Sequence, residues 1–321
     1  MKNITVIGCG RWGSFIAYYL DLIGKNVTLY GRSTSKDFNN FKETRTNGKL
    51  VLKESVKLNC DLQTVLENDV IVISINSQGL RKLMSEIKSL NLKNKTYILC
   101  MKGIEIETGK RLSEVVEEFI DETSRVAVWI GPGHVEEFVK GVPNCMVIDS
   151  KDNDTKEMLV KEFSSNLIRF YYGSDLIGNE IGAASKNVIG IAAGMLDGYG
   201  LSSLKGALMS RGTIEISRFI KALGGNELSA YGLCHLGDYE ATVFSKHSHN
   251  RMFGELYVKG EEYSSLAEGY YTVKAMINIA KEKGIEIPIC ETVYNILYNK
   301  KDPKEELDKL FLRSIKKEFI F

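Results

Sequence analysis

Apolar positions in the first half of the chain fall into short continuous blocks separated by stretches of helical period. Ile4 to Ile7 is a β-branched run, and Val70 to Ser74 (VIVIS) is nearly all apolar. Val27 to Tyr30, Tyr97 to Cys100 and Val126 to Ile130 read as strands in the same way. Cys145 to Ile148 and Ile168 to Tyr172 add two more around a charged helix. Between these blocks, Trp12 to Ile23, Leu80 to Leu90 and Leu112 to Phe119 carry helical spacing. Apolar strands alternating with amphipathic helices predict a parallel sheet covered on both faces, a doubly wound α/β layer.

The second half changes character. Beyond Asp175 no strand ladder is legible, and helical stretches run over Leu176 to Leu196, Lys205 to Leu223, Tyr270 to Lys283 and Glu291 to Tyr298. Gly232 to Gly260 reads as irregular and polar, and the lysine-rich KKDPKEELDKLF as a solvated helix. The expected division is an α/β domain over 1–174 and an all-helical domain over 175–321. With 321 residues the chain suits two domains of about 150 residues each.

Charge removes some function classes. Forty-two Lys+Arg against 41 Asp+Glu leave a net charge of +1. That balance lacks the basic footprint that nucleic acid or an anionic membrane surface requires. No apolar run approaches the roughly 18 residues of a membrane span. MKNITVIGCG runs directly into a strand and a glycine turn, without the long apolar core of a secretion signal. Six scattered cysteines with no CxxC or zinc spacing read as free thiols in a reducing cytoplasm. No metal site is expected: His247-x-His249 lacks a carboxylate or cysteine to complete a ligand set.

Candidate chemistry begins at Gly8-Cys9-Gly10-Arg11-Trp12-Gly13, a G-x-G-x-x-G run between a strand and a helix. In that context the first glycine permits a tight turn and the second admits a pyrophosphate. The third lets helix and strand pack closely, as in a Rossmann dinucleotide-binding unit. The second strand ends Tyr30-Gly31-Arg32-Ser33, without the acid that would hold the ribose hydroxyls of NAD. Arg32 suits a 2′-phosphate, so the expected cofactor is NADP in preference to NAD.

Lys102-Gly103 and Gly131-Pro132-Gly133-His134 each follow a strand, on the sheet edge that carries the glycine turn. Gly178, Gly182, Gly190, Gly194 and Gly198 are spaced in fours, and Lys186 fills the gap in the series. Each step of four drifts about 40° around a helix, so these positions form one strip. Glycine inside a helix costs about 1 kcal/mol, which implies close approach by another backbone or by a ligand. Lys186, alone in IGAASKNVIGIAAG, either reaches solvent or is placed for chemistry. Asp238 and the run Ser245 to Arg251 supply further polar groups, which read equally as a surface loop.

Taken in order, these motifs resemble the bacterial-type NAD(P)-dependent glycerol-3-phosphate dehydrogenases from Gly8 to about Tyr298. GCGRWG, MKGIEIETG, GPGHVEEFVKGVPN, GNEIGAASKNVIGIAAGMLDGYG, SRGTIEISRF, LGD, SKHSHNRMFG and LAEGYYTVK carry the resemblance. It implies a Rossmann domain, a helical domain and a cleft between them. It also implies reversible reduction of dihydroxyacetone phosphate by NAD(P)H, with Lys186 as proton donor and acceptor. Lys102, Asp238, Ser248 and Asn250 would hold the substrate, with main-chain help at Gly131. Arg11, Trp12, Arg32, Lys102, Val135 and Glu268 would touch the cofactor. Lys102 would help Lys186 release its proton, and Asp238 would orient the ammonium and partly offset that effect.

Three positions depart from the family pattern. His249 stands where an arginine usually serves both phosphate and cofactor, and Arg251 is a possible substitute. Gly133 replaces a serine. Asn76-Ser77 replaces Pro-Ser. His249 and Gly133 motivate a second reading, a reductase of the same architecture acting on another small keto acid or keto phosphate; a third is an NADP-binding sensor without turnover. The resemblance also implies a role in supplying glycerol 3-phosphate for phospholipid synthesis. The helical domain invites pairing into a homodimer.

Overall fold

A computed structural model describes residues 3–314. Eight strands form one sheet: β1 (Asn3–Ile7), β2 (Asn26–Tyr30), β3 (Lys57–Asn59), β4 (Val70–Ile73), β5 (Thr96–Leu99), β6 (Arg125–Ile130), β7 (Asn144–Ser150) and β8 (Ile168–Tyr172). Their spatial order is β3-β2-β1-β4-β5-β6-β7-β8. The order reverses between β1 and β4, which is where a doubly wound sheet opens its ligand crevice. Helices α1 (Arg11–Leu22), α2 (Lys36–Thr44), α3 (Leu62–Val65), α4 (Leu80–Lys88), α5 (Leu112–Glu117), α6 (Val135–Val139) and α7 (Asn153–Phe163) lie between the strands. One apolar cluster, built on Phe15, Tyr19, Trp129 and Phe163, covers one face of the sheet. A second, built on Ile71, Leu83, Tyr97 and Val115, covers the other.

The expectation of an all-parallel sheet needs correction at one seam. β6 and β7 pair antiparallel, with Trp129 opposite Ile148, while every other neighbouring pair is parallel. The physical reason is the connection. α6 has five residues and rises about 7.5 Å. β6 has six residues and extends about 20 Å. So short a helix does not carry the chain back along the strand, and the chain returns antiparallel.

The helical half contains α8 (Leu176–Gly198), α9 (Lys205–Ala222), α10 (His249–Lys259), α11 (Glu268–Lys283), α12 (Pro288–Leu297) and α13 (Pro303–Phe311). α8 is its axis: residues from Ile181 to Met195 form a core with Ile216, Phe219, Val273, Met276 and Val293. α8 also meets the sheet half. Buried Glu180 accepts hydrogen bonds from Ser113 N–H at 2.9 Å and from Ser113 Oγ–H at 2.6 Å, and pairs with Arg111. None of the helices among the described residues is long and apolar enough to cross a membrane.

α10 lies inside the stretch expected to be irregular. Ser248 caps its start by accepting from Arg251 N–H, and Gly260, at φ 72°, ends it. Its buried residues are Asn250 and Gly254, so no apolar stripe announces it. Glycines bring it against α8 instead. A Cβ on Gly194 would lie 1.9 Å from the Arg251 carbonyl oxygen, and one on Gly254 would lie 2.1 Å from that of Ile191. The glycine strip of α8 is thus, over this length, a seat for another backbone.

Candidate active site

The glycine turn forms as its spacing requires. Gly8 has φ 115°, and a Cβ there would strike the Ser74 carbonyl. A Cβ on Gly13 would sit 1.9 Å from the Gly8 carbonyl oxygen, so the helix packs directly on the turn. Gly10 differs: a Cβ there would meet nothing within 4 Å. Its bareness serves no protein contact, and it borders a cleft of about 470 Å³. The start of α1 has no side-chain cap and no acid in its first turn, so its free N–H groups suit an anion. These features fit a dinucleotide pyrophosphate at Gly8, Gly10 and Gly13.

The cleft lies between the ends of β1, β4, β5 and β6 on one side and α8 and α10 on the other. Arg11, Trp12, Val135, Ser248, His249, Asn250 and Glu268 all line it, although they come from distant stretches of chain. Arg32 is not among its lining residues. It is exposed beyond the end of β2, at the position expected to meet the far end of a cofactor.

At the centre are two lysines and one carboxylate. Lys186 Nζ lies 2.9 Å from Asp238 Oδ2, and Lys102 Nζ lies 2.7 Å from the same oxygen. Lys102 also donates to the Gly131 carbonyl at 2.6 Å, and Lys186 to Thr242 Oγ1 at 2.6 Å. Two cations on one carboxylate leave the site net positive, which suits an anionic substrate. Lys186 does not reach bulk solvent; its side chain is 8% exposed. Burial lowers its pKa to about 8; Asp238 opposes the shift and Lys102 adds to it. Burial, rather than the Lys102 charge invoked from sequence, is therefore the larger cause.

Neighbouring amides hold this arrangement. Asn187 donates to the Lys102 carbonyl at 3.0 Å, and Asn250 donates to Asn187 Oδ1 at 3.0 Å. Asn250 Oδ1 in turn accepts from Gly269 N–H at 2.9 Å. Sequence reasoning missed Thr242 and Asn187. Thr242 stands four residues after Asp238, a helical spacing that offered a signal. Asn187 adjoins Lys186 but carried no mark of its own.

The departures acquire definite geometry. Arg251 points away from the cleft and does not replace the missing arginine. It is held by Asp197 at 2.9 Å, Glu255 at 2.7 Å and the Ser245 carbonyl at 3.0 Å. His249 hydrogen-bonds through Nδ1 to the Tyr263 hydroxyl, and burial, with Arg11 nearby, lowers its pKa. It enters the cleft as a neutral ring near pH 7. Gly133 has φ 150°, and a Cβ there would lie 2.2 Å from the Phe138 ring, so a serine does not fit this backbone. Ser77 N–H donates to Glu268 Oε1 at 3.1 Å and its hydroxyl to Oε2. Burial raises the pKa of that carboxyl.

Both halves of the chain match known proteins. Residues 3–156 match the NAD-dependent glycerol-3-phosphate dehydrogenase N-terminus, and residues 175–308 match the C-terminus of the same family. A relative from Clostridium botulinum (strain Eklund 17B / Type B), named glycerol-3-phosphate dehydrogenase (NAD(P)+), is 36% identical and covers 99% of each chain. One of the same name from Thermotoga sp. (strain RQ2) is 38% identical over 98% of each. The solved glycerol-3-phosphate dehydrogenase of Coxiella burnetii superposes with a TM-score of 0.90 at 27% identity, covering 97% of this chain and 99% of that one. This agreement along the whole length, over a cleft with two lysines on one buried carboxylate, makes the chain a member of the NAD-dependent glycerol-3-phosphate dehydrogenase family.

Proposed function

We propose that this chain reduces dihydroxyacetone phosphate to sn-glycerol 3-phosphate, reversibly, with NADPH or NADH. The observation that carries the reading is the placement of Lys186: buried, at the cleft, with its ammonium held by Asp238 and Thr242. Gly8, Gly10 and Gly13 would hold a reduced nicotinamide cofactor, which would supply the hydride for the carbonyl carbon. Lys186 then meets the negative charge growing on the carbonyl oxygen and donates a proton to it. In the reverse direction neutral Lys186 accepts the alcohol proton, and its lowered pKa makes that form accessible near neutrality. Asp238 keeps the ammonium aimed through the cycle. Lys102, anchored at Gly131, supplies the second positive charge near the substrate.

Arg11, Trp12, Val135 and Glu268 are assigned to the cofactor, and Ser248, His249 and Asn250 to the substrate's phosphate end. Arg32, with no acid beside it, favours NADP. Full-length relatives named for this activity support the phosphorylated triose over other keto substrates and over a silent binding protein. The same reading carries a homodimer in the cytoplasm that supplies glycerol 3-phosphate for phospholipid synthesis; light scattering on the eluted protein checks the dimer. The test of function is direct. Purified protein is mixed with dihydroxyacetone phosphate and NADPH or NADH, and absorbance of the reduced nicotinamide is followed. Oxidation dependent on the substrate supports the reading. Bound NADPH without turnover contradicts it.

A further inference from the structure

A phosphate in this cleft needs directed donors, and most polar groups around it are already committed. Lys102 and Lys186 share Asp238 and are further tied to Gly131 and Thr242. Arg11 is paired with Glu136 and reaches the His247 carbonyl at 3.1 Å. Arg251 is turned toward Asp197 and Glu255. Gly133 offers no hydroxyl, and Tyr263 holds the His249 ring at Nδ1, so one ring nitrogen is taken. Among the described residues, two buried side-chain polar atoms have no hydrogen-bond partner: Asp238 Oδ1 and His134 Nε2. Both residues line this one cleft. A buried polar atom left unpaired is costly, and a water, an ion or a ligand group at the cleft would supply the partner it lacks.

Resting on the function proposed above, we propose that His134 binds the substrate's phosphate through Nε2–H, as a specificity-determining residue. The ring sits directly after Gly131-Pro132-Gly133 and faces the His247 ring, with centroids 5.8 Å apart. Burial, with Arg11 nearby, lowers the His134 pKa, so the imidazole awaits its ligand neutral. A neutral imidazole carries one N–H, and an anionic oxygen in the cleft selects the tautomer with that proton on Nε2. The contact is a hydrogen bond to phosphate, so it affects phosphorylated substrate and leaves the proton-transfer step alone.

The test uses His134→Asn and His134→Gln in the full-length protein. Asparagine caps α6 well but stops short of the Nε2 position. Glutamine reaches it with an N–H donor. His134→Asn raises the KM for dihydroxyacetone phosphate about 10-fold or more, the usual worth of a hydrogen bond to a charged group. It leaves kcat at saturation and the Kd for NADPH nearly unchanged, and glutamine restores most of the loss. Unphosphorylated dihydroxyacetone reacts alike with wild type and His134→Asn. An unchanged KM overturns the inference. A loss confined to NADPH binding also overturns it, by assigning the anion to the cofactor. Equal damage with both ketones assigns a structural role and overturns it too. Wild-type protein run alongside separates the two claims: turnover there with an unaffected variant sinks this inference alone, and no turnover sinks both.

Discussion

Gly194→Ala is a methyl-sized probe of how the site is built. Two effects oppose each other. Alanine is the better helix former, by about 1 kcal/mol in a helix interior. Against that, the new Cβ would stand 1.9 Å from the Arg251 carbonyl oxygen and 2.8 Å from Glu255 N, both backbone atoms that do not rotate away. Ordinary contact begins near 3.4 Å, so α10 must retreat by more than 1 Å. Overpacking of this kind costs about 1–3 kcal/mol or more, so the clash wins and the protein is destabilised. At about 2–4 °C per kcal/mol, the thermal midpoint falls by several degrees. α10 carries His249 and Asn250 into the cleft, and a misplacement of about 1 Å can cost up to about 100-fold in rate. Gly206→Ala in α9 is the control, because a Cβ there meets nothing within 4 Å and only the propensity gain applies. Calorimetric scans of both variants with initial rates on dihydroxyacetone phosphate read the result. A Gly194→Ala protein as stable as Gly206→Ala and fully active would refute the packing argument.

Other outcomes follow from single groups. Arg32→Ala is expected to lower the NADPH-over-NADH ratio of kcat/KM by about 10-fold or more, since a charge-assisted hydrogen bond to a 2′-phosphate is lost. An unchanged ratio would place selectivity elsewhere. His235 is fully buried, donating from Nδ1 to the Gly182 carbonyl at 2.9 Å and accepting at Nε2 from Tyr239 at 2.7 Å. Burial lowers its pKa to about 4, from 6.5. The folded state therefore resists the proton that the unfolded chain accepts, and this contribution is complete above pH 6.5 and is lost as pH falls toward 4. At pH 5 the loss is about 2 kcal/mol. Urea unfolding at pH 7 and pH 5 should show that drop in wild type and a smaller one in His235→Gln; equal drops would remove His235 as the cause.

Strands made of uninterrupted apolar residues were legible because both faces of the sheet are covered. VIVIS at Val70 to Ser74 and the run Val126 to Ile130 appear where expected, within a residue or two. β3 was not legible. It has three residues, KLN, on the sheet edge, too few and too polar to show a period. α10 was missed for a related reason: it packs by bare backbone at Gly254, and packing through glycine leaves no hydrophobic signature. The strip in α8 showed that something approaches, without naming it. At Gly194 it is the Arg251 backbone, while at Gly182 it is the His235 side chain, whose Cβ lies 3.1 Å from where a glycine Cβ would be. Lys186 and Asp238 stand 52 positions apart in the sequence, and their meeting depends on the π-helical and 3₁₀ turns around Asp238 and Thr242. Such turns obey no single hydrophobic period, so only the resemblance of their motifs linked them beforehand.

The central claim is that Lys186 passes the proton, and Lys186→Met tests it most directly. Methionine keeps the apolar stem and lacks only the terminal ammonium, and Asp238 keeps Lys102 at 2.7 Å, so the buried carboxylate is not left alone. Turnover of dihydroxyacetone phosphate is measured with bound NADPH verified by fluorescence titration. The account predicts a kcat reduced by about 100- to 10,000-fold, or about 2.7–5.4 kcal/mol of transition-state stabilisation, with the cofactor Kd unchanged. Wild-type turnover in a Lys186→Met protein that binds NADPH normally would contradict it.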